Sequence, residues 1–243
     1  MRVTPETGRL RLASHVRACH SEGQVVLLDL RHNKYLGVGG APSSVLAAQV
    51  DGWPKCPTRP NECATSASVS ALLQRLSAEG LLTDAPREST PHIAIEEATS
   101  SLDIEQTGIN AGLRAQRLGR FARSAVVAEW WMRCRSLHSI AMAVAARRER
   151  LRHPAPASGS LEAMRDGTAA YERLRPFAFT AQDRCLHDSL ALVCFLASEG
   201  SFPRLVIGVK MRPFGAHSWV QHGGTVLNDQ HENVRRFSPI LVV

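Results

Sequence analysis

Residues 183–200 read DRCLHDSLALVCFLASEG, and this stretch decides the fold of the second half of the chain. Apolar residues dominate it, no breaker interrupts it before Gly200, and it predicts a helix over Asp183–Glu199. The first turn of that helix carries Cys185. A thiol attacks as the thiolate, and a helix N-terminus offers positive partial charge and unpaired N–H groups that stabilise the anion. Asp183, two residues earlier, suits the cap. The backbone N–H of Cys185 would also donate to an oxyanion formed by attack at that sulfur.

Downstream, PRLVIGVKM (203–211) is β-rich, and AHSWVQH and TVLND flank Gly223-Gly224. Two β-prone runs around a Gly pair predict a hairpin. His217 lies in its first arm and Asp229 in its second, equidistant from Gly223. A turn centred on Gly223, a three-residue loop with a bulge, sets residue 217 opposite residue 229 on one face. A two-residue Gly-Gly turn offsets the pair by one and splits them across faces. A histidine within reach of the thiol takes its proton and later protonates the leaving amine. A carboxylate opposite that histidine fixes its tautomer and supports the imidazolium. The competing bases are weaker: His187 points about 200° around the helix from Cys185, and His222 sits at the hairpin tip. Cys185 with His187, Asp229 with His231, and Cys19-His20 with Cys56 and Cys63 match no zinc pattern, so no metal is expected. No GxxxxGK[ST] motif occurs, and no P-loop cofactor is expected.

The order of cysteine on a helix, histidine on a strand and aspartate on the next resembles the transglutaminase-like, papain-like cysteine peptidase core. More narrowly, RCLHDSLALVCFLASEG, LVIGVKMRPFGAHSWVQHGG and TVLND resemble the leader peptidases of lasso peptide biosynthesis, the B proteins, over about residues 110–243. The resemblance implies Cys185 as nucleophile, His217 as base and Asp229 as orienting acid. It also implies cleavage of the leader–core bond of a ribosomal precursor peptide. An ATP-using macrolactam synthetase, resembling asparagine synthetases, is the implied functional partner. The same triad serves transglutaminases and arylamine acyltransferases, so amide transfer is the alternative enzyme reading. A non-catalytic precursor-binding chaperone is the non-enzymatic one.

The first half reads differently. Residues 9–20 (RLRLASHVRACH) predict a strand, and Gln24–Leu30, the turn Arg31-His32-Asn33 and Lys34–Val38 predict a hairpin. Ser43–Val50 begins a helix, Gly52–Ala64 is a Pro/Gly-punctuated loop, and Ser68–Gly80 is a short amphipathic helix. Leu81-Leu82 returns as a terminal strand. VVLLDLRHNKYLGV and VSALLQRLSAEGLL resemble the PqqD-like recognition element, a winged-helix-like module that captures leader peptides by adding them as a strand. The resemblance implies leader contacts at Lys34, Tyr35, Leu36, Leu72 and Arg75.

The expected class is therefore α+β, with a small winged-helix-like, PqqD-like domain at residues 1–84, a polar proline-containing linker at 85–107, and a transglutaminase-like peptidase domain at 108–243. Within the last, Gly119–Arg150 reads as one long helix with Phe121, Val127, Trp130, Trp131, Cys134, Leu137, Ala141 and Val144 along a stripe. Leu161–Leu174 reads as a second. No apolar run reaches the ~20 residues of a membrane span and MRVTPETGRL has no signal core, which points to the cytoplasm. The six scattered cysteines suit reduced thiols. Residues 111–153 hold ten arginines against Glu129 and Glu149, more excess charge than the net +7 of the whole chain. With no nucleic-acid motif beside them, these arginines read as a solvated helix face or as a contact for an acidic peptide or partner.

Overall fold

The computed structural model describes residues 10–55, 64–85, 94–102, 115–151, 161–177 and 185–243. Contacts divide the chain into two compact units, Met1–His92 and Ile93–Val243.

The first unit runs β1 (Leu10–Leu12), β2 (Val16–Ser21), β3 (Gln24–Asp29), β4 (Lys34–Val38), α1 (Gly40–Gln49), β5 (Val50–Asp51), α2 (Ser66–Ala78) and β6 (Leu82–Thr83). The single strand expected over 9–20 is two, because the chain turns at residues 13–16, closed by Val16 N–H to Ala13 O at 2.9 Å. That turn sends β1 to a small β5-β1-β6 sheet, while β2, β3 and β4 form an antiparallel meander. The β3–β4 turn is held by Asp29, whose Oδ1 accepts from Arg31 N–H at 2.8 Å. Asn33 tolerates the left-handed φ of 53° that the turn requires. The amphipathic helix starts two residues before Ser68, where Thr65 Oγ1 caps it by accepting from Ser68 N–H. Its Val69 and Leu76 join Val16, Val25, Leu27 and Leu46 in one core. Burial of each such side chain contributes about 1.5–3 kcal/mol.

The second unit contains β7 (Ser100–Ser101), α3 (Ala115–Cys134), α4 (Leu137–Leu151), α5 (Leu161–Leu174), a 3-10 turn at Arg175–Phe177, α6 (Cys185–Ser198), β8 (Arg204–Met211), β9 (Phe214–His222), β10 (Thr225–Val226), α7 (His231–Val234) and β11 (Ser238–Val242). The strands form one sheet in the order β11-β8-β9-β10-β7. Two expectations change here. The expected linker contributes structure: Ser100 and Ser101 pair in parallel with Thr225 and Val226, and Thr99 N–H donates to Gly224 O at 2.8 Å. The single helix over 119–150 is two helices. Ser136 ends the first and caps the second, its Oγ accepting from Ser139 N–H at 3.3 Å. Trp130 and Cys134, placed on the apolar stripe by their spacing, are exposed.

Helix α6 is the hub. Leu190, Ala191, Leu192, Phe195 and Leu196 are fully buried, as an all-round apolar helix must be. It packs on α3, α5, β8 and β9. Phe121 meets Phe195 edge-on and Tyr171 meets it at a tilt, with ring centroids 6.5 and 5.8 Å away. Gly167 allows α5 to come this close, since a Cβ there would meet Leu196 Cδ2 at 2.7 Å. No helix of the described residues is long and apolar enough to cross a membrane.

Candidate active site

Cys185 is the first residue of α6 and is half-buried. The expected cap, Asp183, lies outside the described residues. His217 sits on β9 opposite Gly208 of β8. A Cβ at 208 would meet Phe237 Cβ and the Trp219 ring at 2.8 Å, so only glycine leaves these rings their places. Phe237 and Trp219 in turn flank the imidazole, at centroid distances of 5.2 and 6.2 Å.

Asp229 reaches His217 by a route other than cross-strand register. Thr225 pairs with His222 and Val226 with Gln221, so the turn is the two-residue Gly223-Gly224 form and continued pairing would leave Asp229 out of register with His217. The ladder ends before this matters. Leu227 N–H still donates to Val220 O at 2.8 Å, but Asn228 then supplies its side chain, Oδ1 accepting from Val220 N–H at 2.8 Å. With Asn228 standing in for the strand, the backbone bends and Asp229 swings toward the imidazole. His217 Nε2 lies 2.5 Å from Asp229 Oδ2. The carboxylate is held from its other side by Gln230 N–H at 2.6 Å and Asn233 Nδ2 at 3.0 and 3.3 Å.

With Nε2 donating to Asp229, the other ring nitrogen, Nδ1, is left for the sulfur. The hydrogen bond to His217 is the main reason the Cys185 thiol falls to about 7. Burial opposes the shift, and the Ser218 hydroxyl and main chain add to it. That hydroxyl is buried and makes no hydrogen bond within 3.5 Å to an N or O atom of the described residues. His217 rises to about 9, first through Asp229 and then through Cys185. Burial alone would push Asp229 up, but hydrogen bonds from His217, Gln230 and Asn233 outweigh it and hold the carboxyl below its usual value. Each group thus favours the charged form of the other, thiolate beside imidazolium. The buried thiols behave oppositely, with Cys194 raised to about 11 and Cys19 to about 12 by desolvation.

The sequence reading passed over several residues that assemble this site. Ser189 Oγ donates to Ser218 O at 3.1 Å and accepts from Asn228 Nδ2 at 3.0 Å, tying α6 to the hairpin. Asn233 follows Asp229 by four residues, a helical spacing that is legible only once α7 is known. The other candidates stay apart. His187 is buried against Glu129, Nε2 to Oε2 3.0 Å. His222 pairs with Thr225 across the turn, and His231 Nδ1 bonds Ser101 Oγ at 2.9 Å. No three potential metal ligands cluster among the described residues. Cys56 and Cys63 lie outside them.

In the first unit, Lys34, Tyr35 and Leu36 lie on β4, an outer strand of the meander. With Arg75 they line one open groove, whose walls also include Leu27, Asp29 and Glu79. Arg75 is steered there by Glu79, Nε to Oε1 2.9 Å. Leu72 instead packs against the unit's core.

Residues 122–242 match the transglutaminase-like superfamily, so the second unit carries a transglutaminase-like domain. Over 45 residues, 18% of this chain, the sequence is 51% identical to the microcin J25-processing protein McjB of Escherichia coli. The match spans 22% of that relative's length, about a fifth. No solved structure matches.

Proposed function

We propose that this chain, whose residues 122–242 form a transglutaminase-like domain, is a cysteine leader peptidase that removes the leader from a ribosomal precursor peptide during lasso peptide maturation. The observation that carries the reading is the Cys185–His217–Asp229 relay, in which each neighbour shifts the next group toward thiolate and imidazolium. Similarity to a protein named for processing microcin J25 supports the substrate class. In this reading the Cys185 thiolate attacks the carbonyl of the leader–core bond. The Cys185 N–H, at the start of α6, faces the developing oxyanion. His217 protonates the departing core amine, leaving a leader thioester on Cys185. His217 then takes a proton from water, which attacks the thioester and releases the leader as a carboxylic acid. Asp229 holds the ring by Nε2 throughout, so Nδ1 faces sulfur and substrate.

The first unit would hold the leader. An extended peptide added along β4 gains main-chain hydrogen bonds, while the groove between β4 and α2 takes its side chains, with Tyr35, Leu36 and Arg75 setting preference. A macrolactam synthetase resembling asparagine synthetases would then use the freed core amine. Free thiols suit a reducing cytoplasm.

The test is the purified chain incubated with its precursor in H₂¹⁸O and followed by mass spectrometry. Leader release with one ¹⁸O in its new carboxylate is expected, and Cys185→Ala should lose about 10³-fold or more in rate while still binding precursor. Release without ¹⁸O but with an amine adduct would make the enzyme an amide transferase. Undiminished turnover in Cys185→Ala would end the triad reading.

A further inference from the structure

Two glycines clear a place beside the relay for a lysine that the cleavage reading leaves unused. β8 and β9 pair without a break from Arg204 and Gln221 to Met211 and Phe214. Gly208 therefore stands opposite His217 and Lys210 opposite Gly215, all four on one side of the sheet. A Cβ at 215 would meet Lys210 Cε at 3.1 Å and Cγ at 3.6 Å, so the lysine stem lies across the bare backbone of that glycine. Its Nζ ends 5.2 Å from the centre of the Phe237 ring. The same ring lies 5.2 Å from the imidazole of His217. Whatever the angle at Phe237, the ammonium is then no more than about 10 Å from the imidazole.

No carboxylate claims this charge. Among the described residues the ammonium's one partner is the Phe237 ring. The acids of the neighbouring segments are engaged elsewhere, Glu232 by His231 at 3.2 Å, Glu97 by Arg235 at 2.9 Å and Asp229 by His217. Nor does the relay draw on it, since the neighbours that set the His217 and Cys185 protons are Asp229, Ser218 and each other. We propose that Lys210 is a specificity-determining residue of this site, its ammonium receiving the carboxylate of a substrate aspartate or glutamate two or three residues from the cleaved bond. The proposal rests on the peptidase reading above. Distance sets the position: an extended chain advances about 3.3 Å per residue, so two or three residues cover the span from imidazole to ammonium. Chemistry sets the class, because an ammonium has three donors and no acceptor, and the aromatic face beneath it supplies no counter-charge. The carboxylate can lie on the leader side of the bond or on the core side, and the reach is the same for both.

Alkylating peptides read this preference at Cys185 without any precursor, which separates it from the cleavage test. A peptidyl chloromethyl ketone places its residues on the leader side, and a chloroacetyl peptide places them on the core side. Each is made with glutamate at the second and third residues from the reacting carbon, or with glutamine at both. Labelling of the full chain is followed by mass spectrometry at low salt. In at least one series the glutamate peptide should label Cys185 about ten-fold faster than its glutamine twin, as one charge-assisted hydrogen bond provides. Lys210→Met keeps a stem over Gly215 and removes the charge. It should bring that ratio close to one while iodoacetamide labels Cys185 at the wild-type rate. Lys210→Arg should keep most of the ratio, and Arg236→Gln, at an exposed neighbour of Phe237, should leave it unchanged. If Lys210→Met fails to fold, Lys210→Gln carries the same comparison. Equal rates for the twins in both series overturn the proposal, and so does a ratio that survives loss of the Lys210 charge. A variant that slows iodoacetamide and both twins alike also overturns it, by making Lys210 a support for Phe237 and the imidazole. Absence of any labelling at Cys185 would end the nucleophile reading, and this proposal with it.

Discussion

At the scale of single residues, Cys185 and Cys194 share a helix and differ in chemistry because of what surrounds each sulfur. His217 and Ser218 bring the first down to about 7, and desolvation takes the second up to about 11. Iodoacetamide should therefore label Cys185 with a midpoint near pH 7 and leave Cys194 nearly untouched at neutral pH. Equal rates at the two sites would refute a depressed thiol. Asp229→Asn should drop turnover by about 10²-fold or more and move the Cys185 midpoint upward, because the amide cannot support the imidazolium. The sign for stability follows from the same groups. His217, raised to about 9, contributes stability that is full below its unfolded value near 6.5 and fades as pH climbs through 9. Asp229, lowered, contributes above its unfolded value and loses that contribution as pH falls through its folded one. The gap in thermal stability between the wild type and His217→Ala should thus narrow as pH rises through about 9, leaving the pH-independent packing of the ring against Phe237 and Trp219. These three residues were legible in the sequence because thiol chemistry constrains residue type and setting together. Ser218 was not: strand alternation sends it to the face opposite His217, and only the approach of α6 brings it to the sulfur.

At the scale of elements, the hairpin shows where local reading stops. Gly223-Gly224 identified a turn, and both turn types were open; the structure takes the two-residue form. Pairing alone would then leave Asp229 out of register with His217, but the ladder ends at Val226 and Asn228 bonds Val220 N–H in place of the strand. A side chain that replaces a backbone partner has no signature in hydrophobic periodicity. The same blindness merged α3 with α4, since Ser136 caps a helix inside an otherwise unbroken apolar pattern. Gly208 offers the sharpest test at this scale. Gly208→Ala would set a methyl 2.8 Å from Phe237 Cβ and the Trp219 ring, the two groups that flank His217. Overpacking of this kind costs about 1–3 kcal/mol. A lower melting temperature together with a loss of cleavage larger than the stability change explains is expected. Unchanged activity would mean that the rings do not position the imidazole.

At the scale of the whole molecule, composition and polarity place a linker at residues 85–107, whereas contacts divide the chain after His92. Residues 94–102 look like linker because they are polar and acidic, yet Ser100 and Ser101 complete the edge of the second unit's sheet through backbone bonds, to which side-chain composition is indifferent. The contact boundary after His92 is therefore the place to cut. Each unit has its own apolar core, Leu27, Leu46 and Leu76 in one and Val206, Trp219 and Val226 in the other, so each should fold alone. If recognition and chemistry are divided as proposed, residues 1–92 should bind a labelled leader peptide with nearly the affinity of the full chain, and residues 93–243 at least ten-fold more weakly. Substituting proline singly at Tyr35 and at Leu36 separates the mechanism further. Successive N–H groups of β4 point alternately toward β3 and away from it, so one of the two substitutions removes a donor from the open edge without breaking the meander. That variant should lose leader affinity while keeping its melting temperature. Equal binding by residues 93–243 and the full chain would instead place recognition on the catalytic unit.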